Sequence, residues 1–191
     1  MKIYRILFLA LLLIVVTACA RSHRTEYFAT AGFETDRSVA VLPLVNLTPQ
    51  PQAGRIAGDV LAGELYGVEG MRFVERTAVQ EALRTDDEDI EHVMDVSVAQ
   101  AIGRKLGVQG VIYGSVTEYA YRRGLDQNPV VGITVRMLDV QSGAVLWAAT
   151  VTRTGTAPFP GGDSLSKTLQ EACADIVESL STHIKDARSA S

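Results

Sequence analysis

Two side chains have the spacing of an acyl-transfer site, Ser164 and Lys167. The segment Ser164-Leu165-Ser166-Lys167 matches a Ser-x-x-Lys pattern, in which the lysine lowers the proton affinity of the serine and a helix N-terminus favours the anion. The sequence lacks the companion motifs of such enzymes, Ser-x-Asn and Lys-Thr-Gly. Ser164 as an ordinary helix N-cap accounts for the pattern better. We therefore expect that the protein is not an enzyme.

Metal and cofactor chemistry has equally little support in the sequence. The chain contains no glycine-rich phosphate loop, no Cys-x-x-Cys pair and no His-Glu-x-x-His motif. Its three histidines, His23, His92 and His183, are far apart and lack ligand spacing. We expect no metal, no cofactor and no small-molecule substrate.

Three other features have an ordinary structural interpretation beside a functional one. Cys173 lies on the apolar stripe of a predicted helix, which favours a small buried hydrophobe over a redox site. The acidic run at residues 86–91 could attract calcium or a basic partner, but it lacks the alternation of a calcium loop, so a solvated loop is favoured. Asn46-Leu47-Thr48 matches a glycosylation acceptor, but Asn46 is better explained as the cap of a loop. If a surface matters, the first candidates are residues 46–52, the acidic run and Arg122-Arg123.

Cys19 is the residue whose surroundings point most clearly to chemistry. Lys2 and Arg5 precede an unbroken apolar run at residues 6–16, which suits a signal-peptide core and is short of the ~20 residues of a transmembrane helix. The run ends in Val16-Thr17-Ala18-Cys19, which resembles the lipobox of bacterial lipoproteins. In that pattern a peptidase cuts before the cysteine, and the thiol and the new amine take fatty acyl chains such as palmitate.

Processing at this point predicts a membrane-anchored periplasmic protein. Ala20 follows the cysteine, so no Asp suggests retention at the inner membrane, and the periplasmic face of the outer membrane is favoured. Loss of Lys2 and Arg5 with the signal peptide changes the net charge from −4 to −6, which leaves no electrostatic footprint for nucleic acid. Only Cys173 then remains as a free thiol, so no disulfide can form within one chain.

Regular secondary structure is predicted from residue 38 onward. Apolar runs and alternation predict strands at 38–45, 71–75, 108–121, 130–140 and 144–153, with Pro43 indicating an edge or a bulge. Helical spacing predicts helices at 53–66, 77–84 and 97–106, the last capped by Ser97 and ended by Gly107. A long C-terminal helix begins at Asp163 or Ser164, with its apolar stripe at Leu165, Leu169, Cys173, Ile176, Leu180 and Ile184.

These elements predict one α/β domain in which helices cover a mixed sheet. We expect a signal peptide at 1–18, a lipidated flexible tether at 19–36, the domain at 37–186 and a disordered tail at 187–191.

Three segments resemble the CsgG-type and LpoB-type periplasmic lipoproteins. They are Val39-Ala40-Val41-Leu42-Pro43-Leu44-Val45-Asn46, then Leu106-Gly107-Val108-Gln109-Gly110-Val111-Ile112-Tyr113-Gly114-Ser115-Val116, and last Val135-Arg136-Met137-Leu138-Asp139-Val140-Gln141-Ser142-Gly143-Ala144-Val145-Leu146-Trp147. The resemblance implies a domain like the TolB N-terminal domain, a three-layer sandwich with a C-terminal helix. It also implies binding or assembly rather than catalysis.

The resemblance leaves two functions open. The first is an interaction or scaffold protein of a secretion or envelope machine, which binds envelope proteins or further copies of itself. It has no pore of its own, because the polar segments 122–129 and 154–163 cannot form membrane-spanning hairpins. The second is an activator of a peptidoglycan-synthesising penicillin-binding protein, although the predicted tether is short for that task.

Overall fold

The computed structural model describes residues 23–29, 36–84, 95–122, 127–156 and 162–189. Cys19, the acidic run at 86–91 and Arg123 lie outside these ranges. The strands are β1 (His23–Ala29), β2 (Arg37–Val41), β3 (Val45–Asn46), β4 (Met71–Phe73), β5 (Gly110–Arg122), β6 (Asn128–Asp139) and β7 (Val145–Thr154). The helices are α1 (Ala53–Leu65), α2 (Arg76–Arg84), α3 (Val96–Leu106) and α4 (Leu165–Ser189). None of these four helices is both long and apolar enough to cross a bilayer.

The described strands form one mixed sheet in the order β1-β7-β6-β5-β2-β4, with β3 also paired to β5. β2 and β3 run parallel to β5, and β4 runs parallel to β2. The meander β5-β6-β7 and the pairing of β1 with β7 are antiparallel. The sheet therefore combines a parallel βαβ half with an antiparallel half, as expected when strands first alternate with helices and then follow one another.

Helices cover both faces of the sheet and make a three-layer sandwich. One core contains the apolar faces of α1 and α4 and the side chains of Ile112, Ile133 and Trp147. The second core contains residues of α2 and α3 together with Val111, Tyr113 and Leu138 from the opposite sheet face. The predicted fold class is confirmed: a single α/β domain with a mixed sheet and a long C-terminal helix.

The apolar stripe predicted for the last helix lies against the sheet. Leu169, Cys173, Ile176, Leu180 and Ile184 are all buried, and Leu165 at the start of the stripe is partly buried. Burial of one leucine or isoleucine side chain contributes ~1.5–3 kcal/mol, so this stripe is the main attachment of α4 to the sheet.

The first predicted strand, residues 38–45, is divided into β2 and β3 at Pro43. Proline has no backbone N–H, so it cannot donate to the ladder. The chain stays beside β5, because Leu42 N donates to Ile112 O at 2.8 Å and Leu47 N donates to Val116 O at 3.0 Å. The expected irregularity is present, but the expected edge position is wrong, because β2 lies between β4 and β5.

Both ends of the domain have more regular structure than the sequence predicts. β1 lies inside the predicted tether, and its pairing with β7 runs from His23 opposite Arg153 to Ala29 opposite Trp147. The expectation of a flexible tether is therefore wrong for His23–Ala29. α4 continues to Ser189, so the prediction of a disordered tail is wrong for residues 187–189.

The N-cap of α3 is Asp95 rather than the predicted Ser97. The Asp95 carboxylate accepts hydrogen bonds from Ser97 N and Ser97 Oγ, each at 2.8 Å. A carboxylate is favoured there because the helix N-terminus carries partial positive charge. The C-terminal prediction is correct, because Gly107 ends the helix with a φ of 65°.

Candidate interaction surface

The serine and lysine with acyl-transfer spacing both have structural roles. Ser164 Oγ accepts a hydrogen bond from Lys167 N at 3.1 Å, which is N-cap geometry. The Lys167 ammonium donates to Asp163 Oδ1 at 2.7 Å. Its charge is therefore held by a carboxylate, and Ser164 caps α4 as the sequence favours.

Cys173 is an inert core residue in this structure. Its side chain is fully buried on the α4 stripe, and this burial raises the pKa of the thiol to about 12. The thiolate that metal binding or disulfide exchange requires is therefore scarce at neutral pH.

The described residues contain no group of three or more His, Cys, Asp or Glu side chains placed to hold a metal ion. His183 is partly buried, and burial lowers the pKa of its imidazole. His92 lies outside the described residues.

A groove of about 890 Å³ lies between α1, α2 and the segment that joins β2 to β3. Its volume is in the range of pockets that bind small molecules or anchoring side chains of a partner protein. Its apolar lining comes from both helices and from the strand break, and includes Pro43, Leu44, Leu47, Ala62, Val79 and Leu83. Leu47 is 57% exposed at the rim and extends the apolar surface of the groove to solvent.

Asn46 fixes the loop that carries Leu47. Its Oδ1 accepts from Thr48 N at 3.0 Å and from Thr48 Oγ1 at 2.8 Å, while its Nδ2 donates to Gln50 O at 2.8 Å. This is the loop-capping role predicted for Asn46. Because the side chain holds both sides of the loop, Leu47 is presented in a defined position.

The polar rim of the groove is dominated by arginine. Asp59 forms ion pairs with Arg55, at 3.5 Å, and with Arg76. Arg55 also donates to Gln52 Oε1 at 2.6 Å, and Arg84 lines the groove at the far end of α2. Three arginines face one carboxylate among the lining residues of a chain whose net charge is −4. The rim is therefore locally cationic and favours an acidic partner.

The floor of the groove depends on two glycines of α1. A Cβ at Gly54 would overlap the carbonyl oxygen of Leu44, and a Cβ at Gly58 would lie 3.4 Å from Leu44 N. Their spacing of four residues places both on the helix face that meets the strand break. The small side chains let α1 approach the backbone between β2 and β3 closely.

Sequence reasoning found only part of this surface. It selected the loop at 46–52, but it did not identify the arginines of α1 and α2. Arg55 belongs to α1 and Arg76 and Arg84 belong to α2, and the tertiary fold brings them to one groove although the two helices pack on opposite faces of the sheet. The four-residue spacing of Gly54 and Gly58 was the one local feature of the sequence that indicated close packing on this face of α1. The other selected positions lie elsewhere, since Arg122 pairs with Glu118 at the end of β5.

Comparison with known proteins gives one family and several structural relatives. The sequence profile of the family described as peptidoglycan-synthase activator LpoB matches residues 16–152, which is more than half of the chain. No curated protein matches the sequence.

Solved structures that cover most of the chain include PelC and lipoprotein GNA1162. The PelC dodecamer from Paraburkholderia phytofirmans has 28% sequence identity and a TM-score of 0.59, and the match covers 84% of this chain and 98% of that one. Lipoprotein GNA1162 from Neisseria meningitidis has 19% identity and a TM-score of 0.57, with 75% and 95% covered.

The NMR structure of E. coli LpoB has 17% identity and a TM-score of 0.53, and the match covers 65% of this chain and 60% of that one. At these identities GNA1162 and LpoB support the fold alone.

Proposed function

The chain belongs to the family of the peptidoglycan-synthase activator LpoB, and we propose on this basis that its domain binds a peptidoglycan synthase of the envelope and raises the activity of that enzyme. It acts as a binding partner, since Ser164 and Lys167 are engaged in capping and in an ion pair. The relation to CsgG-type lipoproteins stays a prediction from the sequence.

The groove between α1 and α2 is the observation that carries this proposal. It combines an apolar lining, an exposed leucine and a cationic rim, and so suits an apolar anchor of a partner protein flanked by carboxylates. The Asn46 hydrogen bonds order the loop before binding, so little conformational entropy is lost when a partner docks.

Lipid on Cys19 is the second part of the proposal. Cleavage after residue 18 and acylation of Cys19 anchor the domain at the periplasmic face of the outer membrane, because Ala20 provides no inner-membrane retention signal. The lipid concentrates the domain beside its partners and takes no part in the fold.

The activity test uses the lipidated protein in detergent with a purified bifunctional penicillin-binding protein and labelled lipid-linked precursor. The wild-type protein is expected to raise the rate of glycan polymerisation. Leu47→Ser removes the exposed apolar group of the groove and is expected to weaken activation, so that a higher concentration of the variant is needed for the same rate.

Phe28→Ser is the matched control for this experiment. Phe28 is 56% exposed on the edge strand β1, four strand positions from β2, whose end lines the groove, so its replacement should leave activation unchanged. No stimulation by the wild-type protein at micromolar concentration would contradict the proposal. Equal effects of the two variants would contradict the role of the groove.

A homo-oligomeric scaffold is the second candidate function, and one observation favours it. The PelC structure is a dodecamer, and its chain is matched over 98% of its length at 28% identity. β1 and β4 form the two edges of the described sheet, and sheet edges are surfaces on which further copies can pack. Native mass spectrometry of the lipidated protein should show a closed ring, and a strictly monomeric protein would remove this candidate.

A further inference from the structure

The position at which β1 begins defines one end of the domain. His23 pairs with Arg153 of β7, and Arg153 pairs with Val131 of β6, so these three residues lie at one level across the sheet. β5 ends and β6 begins at this same end of the sheet. The chain therefore enters the domain at the same end of the sheet as the β5–β6 connection, with β7 between β1 and β6.

Only residues 20–22 separate Cys19 from His23. A chain spans at most ~3.5 Å per residue, so the Cα atom of Cys19 lies within ~14 Å of that of His23 whatever conformation the three residues adopt. If Cys19 carries lipid, the membrane surface lies within the same distance of the start of β1.

The β5–β6 hairpin extends beyond the start of β1 in the direction from which the chain enters. Its last pair, Arg122 with Asn128, lies three residues past the level of Val131. At ~3.3 Å per residue this is ~10 Å along the strand. The clearance between the hairpin and the level of the lipid-bearing residue is therefore at most a few ångströms when the strands stand upright on the membrane.

The side chains at the end of β5 suit a lipid headgroup region. Tyr121 is 43% exposed, and its hydroxyl accepts a hydrogen bond from Leu165 N at 3.2 Å. The Arg122 side chain is 62% exposed and pairs with Glu118 at 3.2 Å. An exposed ion pair of this kind contributes little, so the guanidinium can turn to a phosphate at small cost. Amphipathic aromatic and arginine side chains favour such an interface.

We propose that the paired ends of β5 and β6, at Tyr121, Arg122 and Asn128, rest on the anionic phospholipid surface of the membrane that holds the lipid on Cys19. The domain then stands upright, with its strands along the membrane normal and the β6–β7 turn at the far end. This inference depends on the proposed lipidation of Cys19 and is independent of the partner that the groove binds.

Two glutamines provide a matched pair of reporter positions. Gln127 and Gln141 are both exposed and flank opposite ends of β6, which spans Asn128–Asp139, so they are separated by ~40 Å along the strand. Gln127→Cys and Gln141→Cys are labelled with an environment-sensitive fluorophore in the lipidated protein. Cys173 is buried and should take no label, which is verified on the protein without either substitution.

The labelled proteins are placed in vesicles of phosphatidylethanolamine and phosphatidylglycerol that contain a headgroup-quenching lipid. Several-fold stronger quenching at position 127 than at 141 supports the proposal. Equal quenching, stronger quenching at 141, or protection of 127 by protein without lipid quenching would overturn it. Failure of the protein to join the vesicles would overturn its premise, lipidation, and this result is read separately from any assay of synthase activation.

Charge reversal tests the role of Arg122 itself. Arg122→Glu should weaken quenching of the label at 127 in vesicles with phosphatidylglycerol, while the lipid keeps the protein bound. Arg104→Glu is the control, because Arg104 is exposed at the C-terminal end of α3, near Gln141. Equal effects of the two variants would exclude a specific headgroup contact at Arg122.

Discussion

At the scale of single residues, the side chains whose types and spacing suggest catalysis have structural roles. Asp163 is 2% exposed and accepts hydrogen bonds from Thr156 N at 2.8 Å, from Thr156 Oγ1 at 3.0 Å and from the Lys167 ammonium at 2.7 Å. These bonds join the end of β7 to the start of α4. The Ser-x-x-Lys pattern in the sequence therefore belongs to a structural contact between β7 and α4.

Asp163→Asn should lower the free energy of unfolding at neutral pH by about 1–3 kcal/mol, because a buried charge-assisted bond is lost. The hydrogen bond from Lys167 and those from Thr156 hold the pKa of the Asp163 carboxyl well below its usual range. A lowered folded-state pKa adds stability above the unfolded pKa of ~3.9, and this stability is lost as the pH falls through the folded-state value. Urea unfolding from pH 7 to pH 3 should show that the difference in unfolding free energy between Asp163→Asn and the wild type narrows below about pH 4.

Asp186→Asn is the control for this measurement, because Asp186 is an exposed acid on the same helix. Its stability should follow the wild-type curve across the pH range. A difference in unfolding free energy between Asp163→Asn and the wild type that stays constant down to pH 3 would contradict the ionic role of Asp163.

Cys19→Ser should leave a folded domain that no longer fractionates with membranes. The serine hydroxyl cannot replace the thiol that accepts the diacylglycerol, and the described domain begins at His23, after this residue. Cell fractionation measures the loss, and Cys173→Ala should remain in the membrane fraction because its thiol is buried in the core. Membrane retention of Cys19→Ser would contradict the lipid anchor.

At the scale of elements, the hydrophobic pattern predicted most of the fold. The β5-β6-β7 meander and the apolar stripe of α4 follow from alternation and from helical spacing, which burial on one face produces directly. β1 was missed because His23–Ala29 shows no clear alternation of apolar and polar residues. Its strand conformation comes from tertiary pairing with β7, which the local sequence does not show. The arginines of the groove were missed for a related reason, since the tertiary fold brings together side chains of α1 and α2 that are distant in sequence.

The close approach of α1 to the strand break makes Gly54 and Gly63 an informative pair. Gly54→Ala should destabilise the domain by about 1–3 kcal/mol, because the new methyl group overlaps the Leu44 carbonyl and neither backbone can yield freely. Gly63 lies on the same helix, and no atom lies within 4 Å of the place its Cβ would take, so Gly63→Ala should stabilise by about 0.5–1 kcal/mol. Urea unfolding measures both changes. A neutral Gly54→Ala would show that α1 does not pack on Leu44 as described.

At the scale of the whole molecule, the proposed lipid on Cys19 would limit where the domain can act, because only three residues separate Cys19 from β1. The groove is lined by residues at the end of β2 and by β3, and β2 lies four strand positions from β1 in the sheet, which corresponds to ~19 Å. β2 runs parallel to β5, so the groove beyond the end of β2 is displaced towards the same end of the sheet as the pair Arg122 and Asn128. If Cys19 carries the proposed lipid, a partner must come close to the membrane surface to bind, because the three residues between Cys19 and β1 cannot extend the domain farther.

Insertion of ten Gly and Ser residues after Ala20 tests this confinement. The insertion raises the maximum span from Cys19 to His23 from ~14 Å to ~50 Å, and the likeliest separation grows in proportion to the square root of the number of residues. The lengthened protein should remain in the membrane fraction, while lipid quenching of a label at Gln127 falls towards the value at Gln141. The hairpin contacts are weak surface interactions, so they depend on the local concentration that the short link provides. Undiminished quenching at 127 would instead mean that Tyr121 and Arg122 hold the membrane without help from the link.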